Sequence, residues 1–246
     1  REIQITADMK TPGESATDIL EDIKTRIMPD IISQYATVTP LYEGQNREAK
    51  KTIDSVKIVG PIILMLIYLV IAFTFRSYSQ PILLLIMIPF SMIGVVWGHY
   101  FHDFAIGILS WLGIIALIGI MVNDGLVLIG KFNTYLKEGM KYDEALIQAG
   151  KSRFRAIVLT SITTVAGLAP LLLEKSRQAQ FLKPMAISIS YGIAIATILT
   201  LVLLPLLLSV SNHIKVIIKW LKTGENVTQE EVERAIIESK FVHDEE

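Results

Sequence analysis

Residues 106–130, IGILSWLGIIALIGIMVNDGLVLIG, form an apolar run long enough to cross a bilayer, since a spanning helix needs about 20 such residues. No water is present in the bilayer core to satisfy free backbone groups, so a run of this kind is constrained to be helical. Yet Asn123 and Asp124 stand side by side inside it. A carboxylate at that depth costs on the order of 3 kcal/mol even on lenient insertion scales, and such residues usually face a bundle interior and move ions or protons. Four further apolar blocks accompany the run: 58–75 with Pro61, 81–101 with Pro89, 156–173 and 185–210. The expected fold class is therefore mainly α, a polytopic bundle of five transmembrane helices, with a small α+β piece at the N-terminal end.

Composition narrows the function classes. Apolar residues make up 52% of the 246 and the mean hydropathy is +0.49, both high for an ordinary water-soluble domain. A net charge of −1 supplies no field for nucleic acid. The chain has no cysteine, which excludes disulfides and cysteine-based metal or redox sites. No phosphate loop, nucleophile–base set or metal cluster is visible. His99 and His102 are three apart at one helix end, poor grounds for a metal site. The expectation is a non-enzyme with no cofactor and no bound metal.

Residues 1–9 alternate apolar and polar and read as a strand. Thr11, Pro12 and Glu14 signal a helix start, with the helix expected to run to about Met28 and to end at Pro29. Residues 38–42 read as a second strand. This piece is either a small complete domain or the tail of a larger one, and its size favours the second. Residues 131–155 read as a polar loop, helical in part. Thr228 and Glu231 form a capping box ahead of a short helix in the tail. Lysines and arginines mark the cytoplasmic face of a membrane protein. Arg76, Lys131, Lys137, Lys141, Lys151, Arg153, Arg155, Lys215, Lys219 and Lys222 all fall on one side of a five-helix topology. The polar N-terminal piece is then extracytoplasmic and the C-terminus cytoplasmic. That arrangement calls for an upstream segment to carry the N-terminal piece across, so the chain is expected to be part of a longer protein.

Several stretches resemble the resistance-nodulation-division (RND) efflux permeases. GIMVNDGLVLIGKF at 119–132 is similar to that family's tenth membrane helix, SRFRAIVLTSITTVAGLAPLLL at 152–173 to its eleventh, and QAQFLKPMAISIS at 178–190 to the start of its twelfth. LYEGQ at 41–45 resembles the end of the porter domain. The resemblance covers essentially the whole chain. It implies that residues 1–54 end a periplasmic porter domain, 55–212 form membrane helices eight to twelve, and 213–246 are a cytoplasmic tail. It implies a proton-driven antiporter of the bacterial inner membrane that exports drugs or other lipophilic compounds, with lipid export, metal export or a protein-translocation role as alternatives. The implied partners are the N-terminal half of the same permease, two further copies in a homotrimer, a periplasmic adaptor, an outer-membrane channel and membrane lipids; the proton gradient is the energy source.

Four residues are candidates for the proton relay. Asp124 is the only acidic residue inside the five segments; it is a relay carboxylate or a structural one held by a neighbouring helix. Asn123 stands where the drug-exporting relatives resemble one another in having a lysine, and it serves the relay or an interhelical hydrogen bond. Thr160 matches a relay-associated threonine of the family's eleventh helix, and Arg153 an arginine at the cytoplasmic entrance. Gly113, Gly119, Gly125 and Gly167 are expected to let helices approach closely.

Overall fold

The computed structural model describes residues 5–7, 16–35, 37, 39–42, 45–224 and 227–237. The described residues are mainly helical and contain no strand. Five stretches are long and apolar enough to cross a membrane: Asp54–Phe75, Ser79–His102, Ile108–Lys137, Tyr142–Leu173 and Gln178–Thr223. In order the helices are α1 (Ala16–Asp22), α2 (Met28–Gln34), α3 (Gln45–Phe75), α4 (Ser79–His102), α5 (Ile108–Lys137), α6 (Tyr142–Leu173), α7 (Arg177–Ile198) and α8 (Leu204–Thr223).

The two expected strands are not seen where they can be checked: residues 5–7 and 39–42 are irregular, and the remainder of those stretches, with Thr11–Glu14 of the expected helix start, lies outside the described residues. Pro29 does not end the first helix. Residues Ile23–Ile27 form a π-turn in which Met28 N–H reaches back to Ile23 O, and α2 continues through Pro29. The same device recurs at Leu199–Leu203, followed by Pro205 at the start of α8. A proline lacks the N–H that an α-helical ladder needs, and a π-turn just ahead of it lets the ladder change register before that gap. The polar stretch 131–155 is also more ordered than its composition suggests. α5 runs on to Lys137, Gly139 turns the chain with φ +87°, and α6 begins at Tyr142. Tyr142, Ala145, Leu146 and Ala149 are buried, a spacing of three, one and three that gives one apolar helix face. The last apolar block extends beyond 185–210 to Gln178–Thr223. In the tail, Thr228 N–H donates to Glu231 Oε2 at 3.3 Å, one half of the capping box, ahead of a 3-10 turn at Glu230–Val232.

α7 is the centre of the bundle and packs on α4, α5 and α6. α3 stands at the edge, touching α4 and α5 through a surface that includes the buried Ile71. Helices in lipid gain little from excluding water and associate through close van der Waals contact, which small residues allow. α4 crosses α7 where Gly94 and Gly98 face Tyr191 and Ile195, and Gly192 of α7 receives Leu117 of α5. Gly94→Ala would drive a methyl into the Tyr191 carbonyl and bring it within 3.0 Å of Ile195 Cβ. Gly167→Ala meets nothing within 4 Å. The first change is expected to cost about 2 kcal/mol through overpacking; the second is expected to be neutral or to stabilise by up to about 1 kcal/mol through helix propensity. Denaturation of the two variants in the same detergent checks the opposite signs.

Ser176 opens α7, its Oγ accepting from Ala179 N–H at 3.3 Å. Beside it in the exposed α6–α7 connector, Glu174 accepts backbone N–H bonds from Ser176 at 3.0 Å and Lys175 at 2.8 Å. Those two donors hold its carboxyl below the ordinary glutamate range.

Candidate proton-relay site and family

α5 carries the site, and hydrogen bonds to α4 fix it at both ends. At one end His99 Nδ1 lies 2.9 Å from Val95 O and Nε2 lies 2.8 Å from Ser110 Oγ. A carbonyl only accepts, so Nδ1 carries the hydrogen, and in the neutral ring Nε2 accepts from the Ser110 hydroxyl. Ser110 Oγ in turn accepts Gly107 N–H at 3.2 Å. At the other end Gln80 and Asn133 exchange amide hydrogen bonds of 2.9 and 3.0 Å, with both side chains buried. Ser110 and Asn133 are about 35 Å apart along α5 at 1.5 Å per residue. Between them Gly125 receives Leu84 of α4. These contacts settle which way α5 is rotated. Gly113, Leu117, Met121, Val122, Gly125, Leu128 and Phe132 point into the bundle. Gly119, Asn123 and Val127 point out of it.

Asp124 sits at the border between these faces. Its side chain is half-buried, and among the described residues it has no hydrogen bond or ion pair. It is placed about 24 Å along the axis from Ile108, the first residue of α5, and about 10 Å from Lys131. An ionised carboxylate in apolar surroundings without a partner is strongly disfavoured. The group must therefore be protonated, reach water, or meet a partner beyond the described residues. Those are the conditions under which a carboxyl can exchange protons.

The other candidates do not gather around it. Asn123 is exposed on the outward face. Thr160 is exposed on α6 and its hydroxyl donates to Ala156 O at 2.9 Å, within its own helix. Thr163 and Thr164 also bond back to their own helix, whereas Ser161 is buried and pairs with Thr197 of α7. Arg153 is half-buried on α6, and its Nε is enclosed without a hydrogen-bond partner among the described residues. Of the four glycines, Gly113 lies against Met185 and Ser188 of α7, and Gly125 against Leu84. A Cβ added at Gly119 or Gly167 would meet nothing within 4 Å among the described residues. Both lie on exposed helix faces, Gly119 one turn from Asn123.

The four polar side chains that clamp α5 to α4 were not among the sequence candidates. Gln80 and Asn133 carry no such signal in the sequence, since Gln80 stands just ahead of the second apolar block and Asn133 in the polar stretch 131–155. Their pairing across 53 positions is not legible either. Among the described residues no group of three His, Cys, Asp or Glu side chains could hold a metal ion.

A family model described as the AcrB/AcrD/AcrF family matches residues 1–211. The chain belongs to this family of RND permeases. Among its relatives, the swarming motility protein SwrC of Bacillus subtilis (strain 168) is 34% identical over 146 residues, covering 59% of this chain and 14% of that protein. The multidrug resistance protein MdtC of Proteus mirabilis (strain HI4320) is 28% identical over 172 residues, covering 70% of this chain and 17% of that protein. A crystal structure of a heavy metal efflux pump shares the fold, with a TM-score of 0.66 and 24% identity over 80% of this chain and 20% of the other. The permease chain thus spans less than a fifth of the length of the curated relatives it matches. Its five apolar helices and its family identify it as a membrane protein.

Proposed function

We propose that this chain is the C-terminal membrane portion of a proton-driven efflux transporter and that Asp124 is the carboxyl that takes up and releases the coupling proton. The observation that carries the reading is the half-buried Asp124, without a partner among the described residues, in the middle of a membrane-length helix, in a chain that belongs to a permease family. Asn123, Thr160 and Arg153 are assigned to the same relay by the family resemblance alone, since this chain's fold does not gather them around Asp124. Asn123 supplies an amide that can orient a carboxyl or a water. The Thr160 hydroxyl keeps an acceptor lone pair free beyond its bond to Ala156. Arg153, with its enclosed Nε, stands toward the α5–α6 end.

Charge distribution supports an orientation with the α5–α6 turn and the tail in the cytoplasm, because the lysine- and arginine-rich connectors lie there. Residues 1–54 then belong to a periplasmic domain, and the membrane is the bacterial inner membrane. Three copies, an adaptor and an outer-membrane channel complete the proposed assembly. The cargo is a drug or other lipophilic compound, as the name of MdtC favours. A metal ion is the second reading, favoured by the likeness to a heavy metal efflux pump.

The test uses everted membrane vesicles containing the transporter that carries this chain. Proton-gradient-driven uptake of a panel of lipophilic dyes and of Zn²⁺, Cu⁺ and Ag⁺ is followed with and without a protonophore. Uptake of one class that the protonophore abolishes is expected. Transport that persists without a proton gradient overturns the proposal.

A further inference from the structure

The stretch Gln178–Thr223 changes register at the π-turn Leu199–Leu203. Leu204 N–H donates to Leu199 O rather than to Thr200 O, and the next residue, Pro205, has no N–H to give. The Thr200 carbonyl is thereby left without the donor that an α- or a π-ladder would supply. Its side chain is in a like condition. The hydroxyls of Thr160, Thr163, Thr164 and Thr197 all donate to carbonyls of their own helices. That of Thr200 has no hydrogen-bond partner among the described residues, although the residue is 1% exposed. Two oxygens of one residue thus stand unpaired inside an apolar span, where such groups are costly.

The register of the helices sets Asp124 opposite them. Gly113, Leu117 and Asp124, four and seven positions apart, share one stripe of α5. Gly113 lies against Ser188 and Leu117 against Gly192, both on α7, so the two helices run parallel. Both partners stand at the same offset along the chain, and that offset carried to Asp124 falls on Leu199, where the π-turn begins. The π-turn packs on α5, and a Cβ added at Gly125 would stand 3.6 Å from Leu204 Cδ2. Thr200 and Leu204 are both buried, one turn apart. Other charged side chains on the surrounding elements are Lys131 of α5 and Arg153 and Arg155 of α6. α4 has none before His99, and the Gln178–Thr223 stretch has none between Lys183 and His213.

We propose that Thr200 is a positioning residue of the proton step, its carbonyl and hydroxyl receiving the Asp124 carboxyl when that group turns toward the π-turn. The proposal rests on the reading of Asp124 as the coupling carboxyl. The two side chains are not hydrogen-bonded to each other in this structure, so a side-chain rotation or one bridging water makes the contact. A carbonyl only accepts; it takes the hydrogen of protonated Asp124 and favours that form. A hydroxyl also donates, and donation to the carboxylate favours the charged form. One residue therefore serves both states of the cycle: uptake places a hydrogen on Asp124 that the carbonyl accepts, and release returns it to water and leaves the carboxylate on the hydroxyl. Pro205 has a part in this, because it withholds the N–H that would occupy the carbonyl.

The test follows labelling of Asp124 by dicyclohexylcarbodiimide, which attacks protonated carboxyls in apolar surroundings, across a pH series. It uses the whole transporter in its membrane, with the labelled position located by mass spectrometry. Thr200→Val keeps the shape and removes the hydroxyl. The charged form then loses its donor, and the labelling midpoint is expected to rise by about one pH unit, a tenfold change in the protonation equilibrium. Thr200→Ser, which keeps the hydroxyl, should hold the wild-type midpoint. Pro205→Ala supplies an N–H, so that the Thr200 carbonyl gains a donor within its own helix. The acid form then loses its acceptor, and the midpoint is expected to fall by a similar amount. A threonine that merely packs would not move the two midpoints in opposite senses. Midpoints unchanged in Thr200→Val and Pro205→Ala, or moved the same way in both, overturn the proposal. Wild-type Asp124 that takes no label at any pH at which the transporter stays folded would instead overturn its reading as an exchanging carboxyl, and this proposal with it.

Discussion

Asp124→Asn is expected to abolish proton-coupled export while leaving the protein folded and inserted. Asparagine keeps the shape and one oxygen of the side chain but cannot gain or lose a proton near neutral pH. If each transport cycle requires that carboxyl to change its protonation state, the loss is of the order of a hundredfold or more, the scale seen when a required proton-transfer group is removed. Because Asp124 has no hydrogen bond or ion pair to a described residue, its replacement leaves no buried partner stranded, and stability should change little. The measurement is uptake in everted vesicles, normalised to the amount of transporter, beside a melting curve of the purified variant. Wild-type rates in Asp124→Asn would remove the residue from the relay. Asn123→Asp on the exposed neighbouring position distinguishes a need for a carboxyl anywhere on this turn from a need for one at the border of the bundle: in the Asp124→Asn background it should not restore export.

Glu233→Ala is expected to release the C-terminal tail. The Glu233 side chain is 4% exposed and bonds Lys215 Nζ at 3.0 and 3.2 Å and Asn212 Nδ2 at 2.9 Å. Nearby, Glu230 Oε1 accepts from Tyr142 N–H at 3.0 Å, so the tail ties α8 to the start of α6. Removing one partner of a buried pair costs about 3–5 kcal/mol, because the other charge is left without compensation. Lys215 retains 27% of its side-chain surface and can turn toward water, which places the cost at about 3 kcal/mol. A tail that opens before a protease cuts it would then be cleaved at Arg234 by trypsin roughly a hundredfold faster, since each 1.4 kcal/mol is a factor of ten when cleavage follows the open population. Replacing Lys215 and Glu233 together by Met and Leu should return much of the protection, because an apolar pair leaves no stranded charge. Unchanged cleavage in Glu233→Ala would show that the remaining ties, Glu230 to Tyr142 N–H and Gln229 O to Asn212, hold the tail without Glu233.

The bundle was legible because lipid imposes a simple rule: long apolar runs become helices, and five runs gave five helices. Boundaries were less so. The turn at Gly139 lies in a charged stretch where polar residues hide an apolar face of Tyr142, Ala145, Leu146 and Ala149, a periodicity easily masked by Lys137, Lys141 and Lys151. Pro29 was read as a stop because proline removes a donor; the π-turn ahead of it, a tertiary and register effect, carries the helix on. Asp124 stood out in the sequence because a lone acid among apolar residues is costly wherever it points. Which way it points depends on Ser110, Gly125 and Asn133 meeting residues of α4, a matter of long-range pairing. The glycines show the same divide. Composition names them all as small, and only the neighbour on the other side separates Gly113, pressed against α7, from Gly119, facing open space.

The two amide and imidazole ties between α4 and α5 restrict how a working cycle can proceed. A movement that slid α5 along α4, or spun it on its own axis, would have to rupture the Gln80–Asn133 exchange and the His99–Ser110 bond at once, at points some 35 Å apart at helical rise. These two helices therefore travel as one girder. Any rearrangement of the bundle is then carried by seams other than the one between α4 and α5.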